Sequence, residues 1–475
     1  MTQTIAASKE KRRTKHKLKG VLALFYIFFG ITICALAFYY RKILANLHDQ
    51  LEWQSQLEVE LDSASRLKPR SKSNELGEKE SFPTCAILLF GLPRAFKDFV
   101  LPSLEKNVIG PNARYGCDYF VHYYQQDSEE SGRSGNGGVI RSEDIFLLKD
   151  SVTKVHQAYN QKKDSTNVSF PNVAFVSDTN ETFWKARGKE IQHYRTAKNE
   201  DGQYAFFPYA ERTYEYPRTL DNIVKQWHSI NSVWEAMENY SIGANTNRNN
   251  SDLKRFQYRR VAAMRNDVIF LTPIDIYNIP VAVKNASATV SQRSKTDFST
   301  NAAAVIPNFA KWPVNDRLIY GPYSAVKIWA SQRFARIEDY SKDTSAIPGM
   351  VMHSETFLNA SILQTIKETQ VDANQNLQVF EDEWMCFLRV RADGAIWIED
   401  CDATKSNYGG GYPGGMPIYL KLLNEFLPNK GRGCKKRRLK DKVRKIVELA
   451  CPKQELQKKQ GHAKNSSIRI SSKYH

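Results

Sequence analysis

Cys85 to Tyr124, CAILLFGLPRAFKDFVLPSLEKNVIGPNARYGCDYFVHYY, decides the fold. Cys85 to Phe90 is a short continuous apolar run that reads as a strand. Gly91-Leu92-Pro93-Arg94 interrupts it as a turn, Phe99 to Asn107 follows as a helical stretch, and Cys117 to Tyr124 is a second apolar strand. Strand, turn, helix and strand in this order form a βαβ unit, so the chain is expected to be an α/β protein. Further strands are expected at Val173 to Val176, Tyr258 to Met264 and Ala302 to Ile306. Helices are expected at Leu220 to Tyr240 and at Pro322 to Ile337, the latter with Pro322 at its first position and an apolar face through Val326, Ala330, Phe334 and Ile337.

N-terminal to this domain, Val21 to Tyr40 (VLALFYIFFGITICALAFYY) has no charged residue. A helix of that length spans about 30 Å, the thickness of the bilayer core. A cleaved signal peptide is the alternative, with Ala35-Leu36-Ala37 as its cleavage site, but such a peptide has an apolar region of only about 7 to 15 residues. The basic residues before Val21 outnumber Arg41 and Lys42 after Tyr40, which puts the N-terminus in the cytoplasm. The expected order is therefore a basic cytoplasmic tail (1–20), a single-pass anchor (21–40), a stem and linker (41–82), a lumenal α/β domain (83–430) and a basic C-terminal tail (431–475). Type II insertion in the Golgi membrane is the expected location, with the endoplasmic reticulum or plasma membrane as alternatives.

The formal charge of the 475 residues is +17, which would suggest a nucleic-acid partner. Its distribution argues otherwise. The first twenty residues carry +6 and Lys430 to His475 carry +13, so the body is close to neutral and no nucleic acid is expected. Asn-x-Ser/Thr acceptors occur at Asn167, Asn180, Asn239, Asn249, Asn285, Asn359 and Asn465, all beyond the anchor. Six cysteines also lie beyond it, and one pair can be argued. MCFLRVRADGAIWIEDCD reads as two strands about a two-residue Asp393-Gly394 turn. That register sets Cys386 opposite Cys401, with Cα atoms about 5.5 Å apart, a disulfide distance.

Several chemistries lack their motifs. The turn GLPRAF has neither the Gly-x-Gly-x-x-Gly of a dinucleotide site nor the Gly-Lys-Ser/Thr of a phosphate loop, which also weighs against a sulfate-transfer enzyme. No Gly-x-Ser-x-Gly elbow occurs, the nine histidines are scattered, and there is no Cys-x-x-Cys, so hydrolase and zinc readings have no support. What remains is three acidic clusters at strand ends and helix starts: Arg265-Asn266-Asp267, Asn315-Asp316-Arg317 ahead of Gly321, and His353 to Leu358 with Glu355.

At these residues, and at Gly91 to Arg94, the sequence resembles a group of poorly characterised nucleotide-sugar glycosyltransferases over roughly residues 83 to 402. The resemblance implies a GT-A-like (Rossmann-like) mixed sheet flanked by helices, and transfer of a sugar from a nucleotide-sugar donor to a glycan or glycoprotein acceptor. It implies Arg94, Arg265, Asp267 and Arg317 as donor-binding residues, with Asp316 and Glu355 as candidates for general base and acceptor binding. Asp267 is the candidate metal ligand for Mn²⁺ or Mg²⁺, although the Asp-x-Asp pair of many such enzymes is missing there. The alternative is a non-catalytic lumenal or cell-surface ectodomain that binds glycans or acts as a receptor, which needs the same anchor and sequons.

Two further stretches carry expectations. Tyr408 to Pro417, YGGGYPGGMP, reads as a flexible connector or a mobile flap over bound donor. In the basic tail, Leu439, Val443, Ile446, Val447 and Ala450 fall near one helical face, so a helix is expected over about 437 to 450.

Overall fold

Side-chain alternation along Cys85–Gly91 (β1) sets the layers of the domain. Cys85, Ile87 and Leu89 enter one apolar core, and Ala86, Leu88 and Phe90 enter a second on the opposite face. A strand buried on both faces needs helices on both, and the continuous apolar run supplies that requirement. The computed structural model describes residues 85–427, without 132–136, 163–169, 210–216, 247–256, 279–301, 344–345, 348, 373–374, 406–408 and 414, together with 435–438 and 447–450. The expected tail 1–20, anchor 21–40, stem 41–82, and Asn167, Asn249, Asn285 and Asn465 lie outside the described residues. Among the described residues no helix is long and apolar enough to cross a membrane.

The central sheet has seven strands. In chain order they are β1, Asp118–Tyr124 (β2), Val173–Asp178 (β3), Arg260–Arg265 (β4), Ala303–Pro307 (β5), Leu318–Pro322 (β6) and Gln378–Asp382 (β7). In space the order is β7-β5-β6-β4-β1-β2-β3. β1 runs parallel to β2 and β4, and β2 parallel to β3, as the βαβ pattern requires. β6 is antiparallel to both its neighbours, which makes the sheet mixed. The helical run 96–112 and Leu147–Gln161 (α1) cover one face. Arg218–Thr246 (α2), Tyr323–Ser331 (α3) and the run 354–368 cover the other.

The βαβ register also brings two cysteines together. Ala86 pairs with Asp118, so Cys85 and Cys117 stand one position earlier on adjacent parallel strands, with Cα atoms 4.6 Å apart, and they are disulfide-bonded. The second disulfide, Cys386–Cys401, is the expected one, with a Cα separation of 5.8 Å, but its hairpin has a different register. Arg391 N donates to Ala395 O, Gly394 N donates to Arg391 O, and Val390 bridges Ile396. The loop therefore has three residues and ends on Gly394 at φ 80, a type I turn closed by a left-handed glycine and not the two-residue turn. Pairing shifts by one, and the cysteines meet beyond the regular part of the hairpin.

Two other expectations change. Pro322 ends β6 with ψ 146, and the single helix expected through Ile337 is two, α3 and Arg333–Ser341 (α4), separated at Gln332 where ψ is 1. Lys435–Arg438 pairs antiparallel with Val447–Ala450, so there is no continuous helix over 437 to 450. In the glycine-rich stretch, a Cβ on Gly410 would stand 2.3 Å from Asn308 O and one on Gly411 2.3 Å from Ala403 Cα. Those two glycines permit close packing of backbone against backbone.

Candidate active site

Open parallel sheets bind ligands beyond the carboxyl ends of their strands, and here β1, β2 and β4 end at one cleft of about 1030 Å³. Gly91, Tyr124 and Arg265 are the strand-end residues on its wall. After β1 the chain doubles back: Arg94 N donates to Leu92 O at 2.9 Å, and Ala95 takes φ 46, a left-handed backbone that a residue with a Cβ adopts only under constraint. This turn aims the buried Arg94 across the sheet end. Its Nη1 donates to Asp267 Oδ2 at 2.5 Å, while Nε and Nη2 donate to the Glu129 carboxylate at 2.7 and 2.5 Å.

Arg265 and Asp267 lie at and just past the end of β4. Arg265 Nε and Nη2 hold the two Asp267 oxygens at 2.7 and 2.6 Å, so Asp267 accepts three N–H bonds while only 1% exposed. Burial alone would raise its pKa, but the guanidiniums of Arg265 and Arg94 outweigh it and hold the carboxyl well below the usual range. Asn266, fully buried, fixes the segment to β1: its N–H donates to Phe90 O and its Nδ2 to Gly91 O.

The next contribution comes from the hairpin. Phe387–Arg389 pairs antiparallel with Val268–Phe270, and Val390 N donates to Asp267 O, which places the hairpin directly beside Asp267. Arg389 and Arg391 both line the cleft. Arg389 forms a two-pronged pair with Asp400, at 2.8 and 2.6 Å. Trp397 lies near both guanidiniums, with ring centroid distances of 5.4 Å to Arg389 and 5.3 Å to Arg391. Burial, followed by the charges of Arg389 and Arg94, pushes Arg391 down to about 9, and its Nε is buried with no hydrogen-bond partner. Arg317, reached from the turn before β6, is 3.9 Å from Asp400, and its Nη1 also lacks a hydrogen-bond partner.

Of the two carboxylates expected to do chemistry, Glu355 lines the cleft and Asp316 is buried beside it. Asp316 is buried and accepts from Ser354 Oγ at 2.7 Å and Gln226 Nε2 at 3.0 Å. Burial would raise it, but the charge of Arg317 and the Ser354 hydrogen bond keep it below its ordinary value. Glu355 lines the cleft at the start of the helical run 354–368. His353 caps that run, its Nδ1 accepting from Thr356 N, so its Nε2 carries the proton and faces Glu355 Oε2 at 3.5 Å. Burial and then the negative charge of Asp316 push the Glu355 carboxyl up to about 8. Glu355 also feels Arg317 and Arg389, so all six residues named from the sequence occupy one neighbourhood. Sequence reasoning missed Arg389, Arg391, Trp397 and Asp400. In sequence the hairpin stands out for its cysteines, although Arg-Val-Arg alternation already puts both arginines on one face.

One group among the described residues has ligand atoms close enough to share a metal ion: His122, Asp178 and His228. It is invisible in sequence because β2, β3 and α2 each supply one member. Both histidine Nε2 atoms meet Asp178 Oδ2, at 3.0 and 2.7 Å. Arg187 Nε donates to His228 Nδ1, which pins the remaining proton on Nε2, the atom a metal would need bare. His122 Nδ1 meets Ser229 Oγ at 2.7 Å, and that oxygen accepts from Gly91 N at 2.9 Å. The group fits a hydrogen-bond relay supporting the Gly91 turn better than a metal site.

No known protein family matches the chain, and no curated protein matches it by sequence. Among solved structures, it is similar to mouse xyloside xylosyltransferase 1 in its apo form, at a TM-score of 0.22 and 7% identity, over 58% of this chain and 82% of that one. A likeness of that size carries no argument about function, which rests on the cleft.

Proposed function

We propose that the domain is a glycosyltransferase that moves a sugar from a nucleotide diphosphate donor to a hydroxyl acceptor. The observation that carries this reading is the joint presence, in one cleft, of a cluster of arginines and a carboxyl poised near neutrality. Sugar transfer needs both: cationic donors where the diphosphate departs and a base at the acceptor oxygen. In this reading Glu355 takes the acceptor proton as that oxygen bonds to the anomeric carbon. The bond from that carbon to the diphosphate oxygen breaks, and Arg94, Arg265 and Arg317 meet the released charge. Asp316 orders Ser354 and Gln226 at the acceptor side. Asp267 holds Arg94 and Arg265 in place, and with both oxygens taken by guanidiniums it does not fit a Mn²⁺ or Mg²⁺ ligand.

The test is thermal unfolding of the full chain with UDP, GDP or phosphoadenosine phosphate, followed by assay of UDP- and GDP-sugar consumption. Saturation with a ligand of the native state at about a hundred times its Kd adds roughly 2.7 kcal/mol. A shift with UDP or GDP and consumption of the matching sugar nucleotide is expected. Stabilisation by phosphoadenosine phosphate alone would sink the reading.

We further propose insertion as a type II Golgi protein, supported by Val21 to Tyr40 and by the exposure of the described sequons Asn180, Asn239 and Asn359. Expressed in a secretory host, the protein should run smaller after glycosidase treatment. Substituting Gln singly at Asn180, Asn239 and Asn359 should each remove one step in gel mobility; mobility unchanged in all three variants would reject the lumenal placement.

A further inference from the structure

We infer that the arginine cluster receives the donor diphosphate directly, as an anion site that requires no divalent cation. The inference rests on the transfer reading above for the identity of the ligand, and on geometry for the site.

A metal-bridged diphosphate needs carboxylate oxygens turned toward the ligand. The three carboxylates that meet these arginines are instead taken up by guanidiniums. Asp267 accepts three bonds from Arg94 and Arg265, Glu129 accepts two from Arg94, and Asp400 is held by Arg389 through both side chain and backbone N–H. A cation there would have to displace guanidiniums from their partners and then sit among them.

Donors, by contrast, are in surplus. Arg391 and Arg317 are each only 7% exposed, yet Arg391 Nε and Arg317 Nη1 have no hydrogen-bond partner. A buried charged donor left unsatisfied is costly, and both residues line the cleft, where an anion with several oxygens would supply acceptors. Trp397 packs near the Arg389 and Arg391 guanidiniums, which limits their freedom before any ligand arrives. The donor geometry, not the net charge, points to the ligand. Glu130, Glu399 and Asp402 line the same cleft and offset much of the arginine charge, whereas the planar forks of Arg317, Arg389 and Arg391 suit an anion with several oxygens, such as a diphosphate.

The probes are inorganic pyrophosphate and UDP, titrated calorimetrically into the full chain in detergent with EDTA and again with Mn²⁺. Equal affinity in the two buffers is expected. Arg391→Gln should weaken both probes by about ten- to a hundredfold, the worth of one or two hydrogen bonds to a charged group. Arg391→Lys, which keeps the charge and loses the planar fork, should fall between. Arg391 has no side-chain hydrogen bond to lose, so its unfolding temperature should hold, and Arg114→Gln, on an ion pair with Asp275 outside the cleft, should bind as the unaltered protein does. Binding that appears only with Mn²⁺, or an Arg391→Gln protein of full affinity, overturns the inference. Sugar transfer that strictly requires Mn²⁺ would leave the transfer reading standing while removing this one. Pyrophosphate binding in EDTA with no sugar nucleotide consumed would keep the anion site and remove the transfer reading.

Discussion

Asp267→Ala is expected to cost about 3–5 kcal/mol of folding stability and to abolish donor binding, because it strands two buried guanidiniums. Asp267 is the common acceptor for Arg94 and Arg265; Asp267 and Arg94 are buried and Arg265 is mostly so. Removing the acid leaves the desolvation of both cations uncompensated, since Glu129 can still serve Arg94 but nothing described replaces the two bonds to Arg265. Arg94→Met should be milder, because Asp267 keeps Arg265. The double variant Arg94→Met with Asp267→Ala should be less destabilised than the sum of the two singles, by about 0.5–3 kcal/mol for residues sharing one network. Urea unfolding of the four proteins measures this, and additive effects would mean that the three side chains do not act as a unit.

Glu355→Gln is expected to lower the transfer rate by about a hundred- to ten-thousandfold, the usual contribution of a positioned base. In the unaltered protein the rate should climb as pH rises toward about 8, where burial and Asp316 place the Glu355 titration, and the Gln variant should be flat across that range. Stability should move in the opposite direction. Below the ordinary value of 4.5 the carboxyl is protonated in both the folded and unfolded chain. Above it the unfolded chain releases the proton first, so folded stability declines until pH passes about 8. Glu355→Gln removes this decline and should be the more stable protein at alkaline pH. Thermal unfolding and rate against pH, measured on both proteins, check it: a flat rate profile in the unaltered protein would exclude Glu355 as the base.

The two predictions draw on different depths of sequence information. Arg94, Arg265, Asp267, Asp316, Arg317 and Glu355 are legible because each sits where an apolar run stops or starts, and strand ends in α/β sheets are where side chains become free to meet ligand. Five of the seven sheet strands are legible as apolar runs, but Leu318–Pro322 and Gln378–Asp382 (QVFED) are not, the latter because polar residues flank and interrupt its Val and Phe. Arg389 and Arg391 are not, since a short hairpin becomes part of the site only by pairing with Val268–Phe270, far earlier in the chain. The His122, Asp178 and His228 relay is likewise hidden, since no local spacing encodes a meeting of β2, β3 and α2. The hairpin register shows the finer limit: Asp393-Gly394 marks a turn clearly, but whether Gly394 ends a two-residue or a three-residue loop depends on how the flanking strands twist against their neighbours.

The Cys386–Cys401 bond encloses the segment that carries Arg389, Arg391, Trp397 and Asp400, and it is the covalent tie between that segment's ends. Recombinant protein made in a reducing host would lose both this clasp and Cys85–Cys117, but the sheet strands joined by the latter are also held by hydrogen bonds and two apolar cores, whereas the arginine-bearing hairpin has a short ladder with Val268–Phe270. Solubility and a native circular dichroism spectrum would then be poor guides to competence. An inactive preparation of that kind would report on the redox history of the sample, so free thiols should be counted before the loss of activity is blamed on the fold.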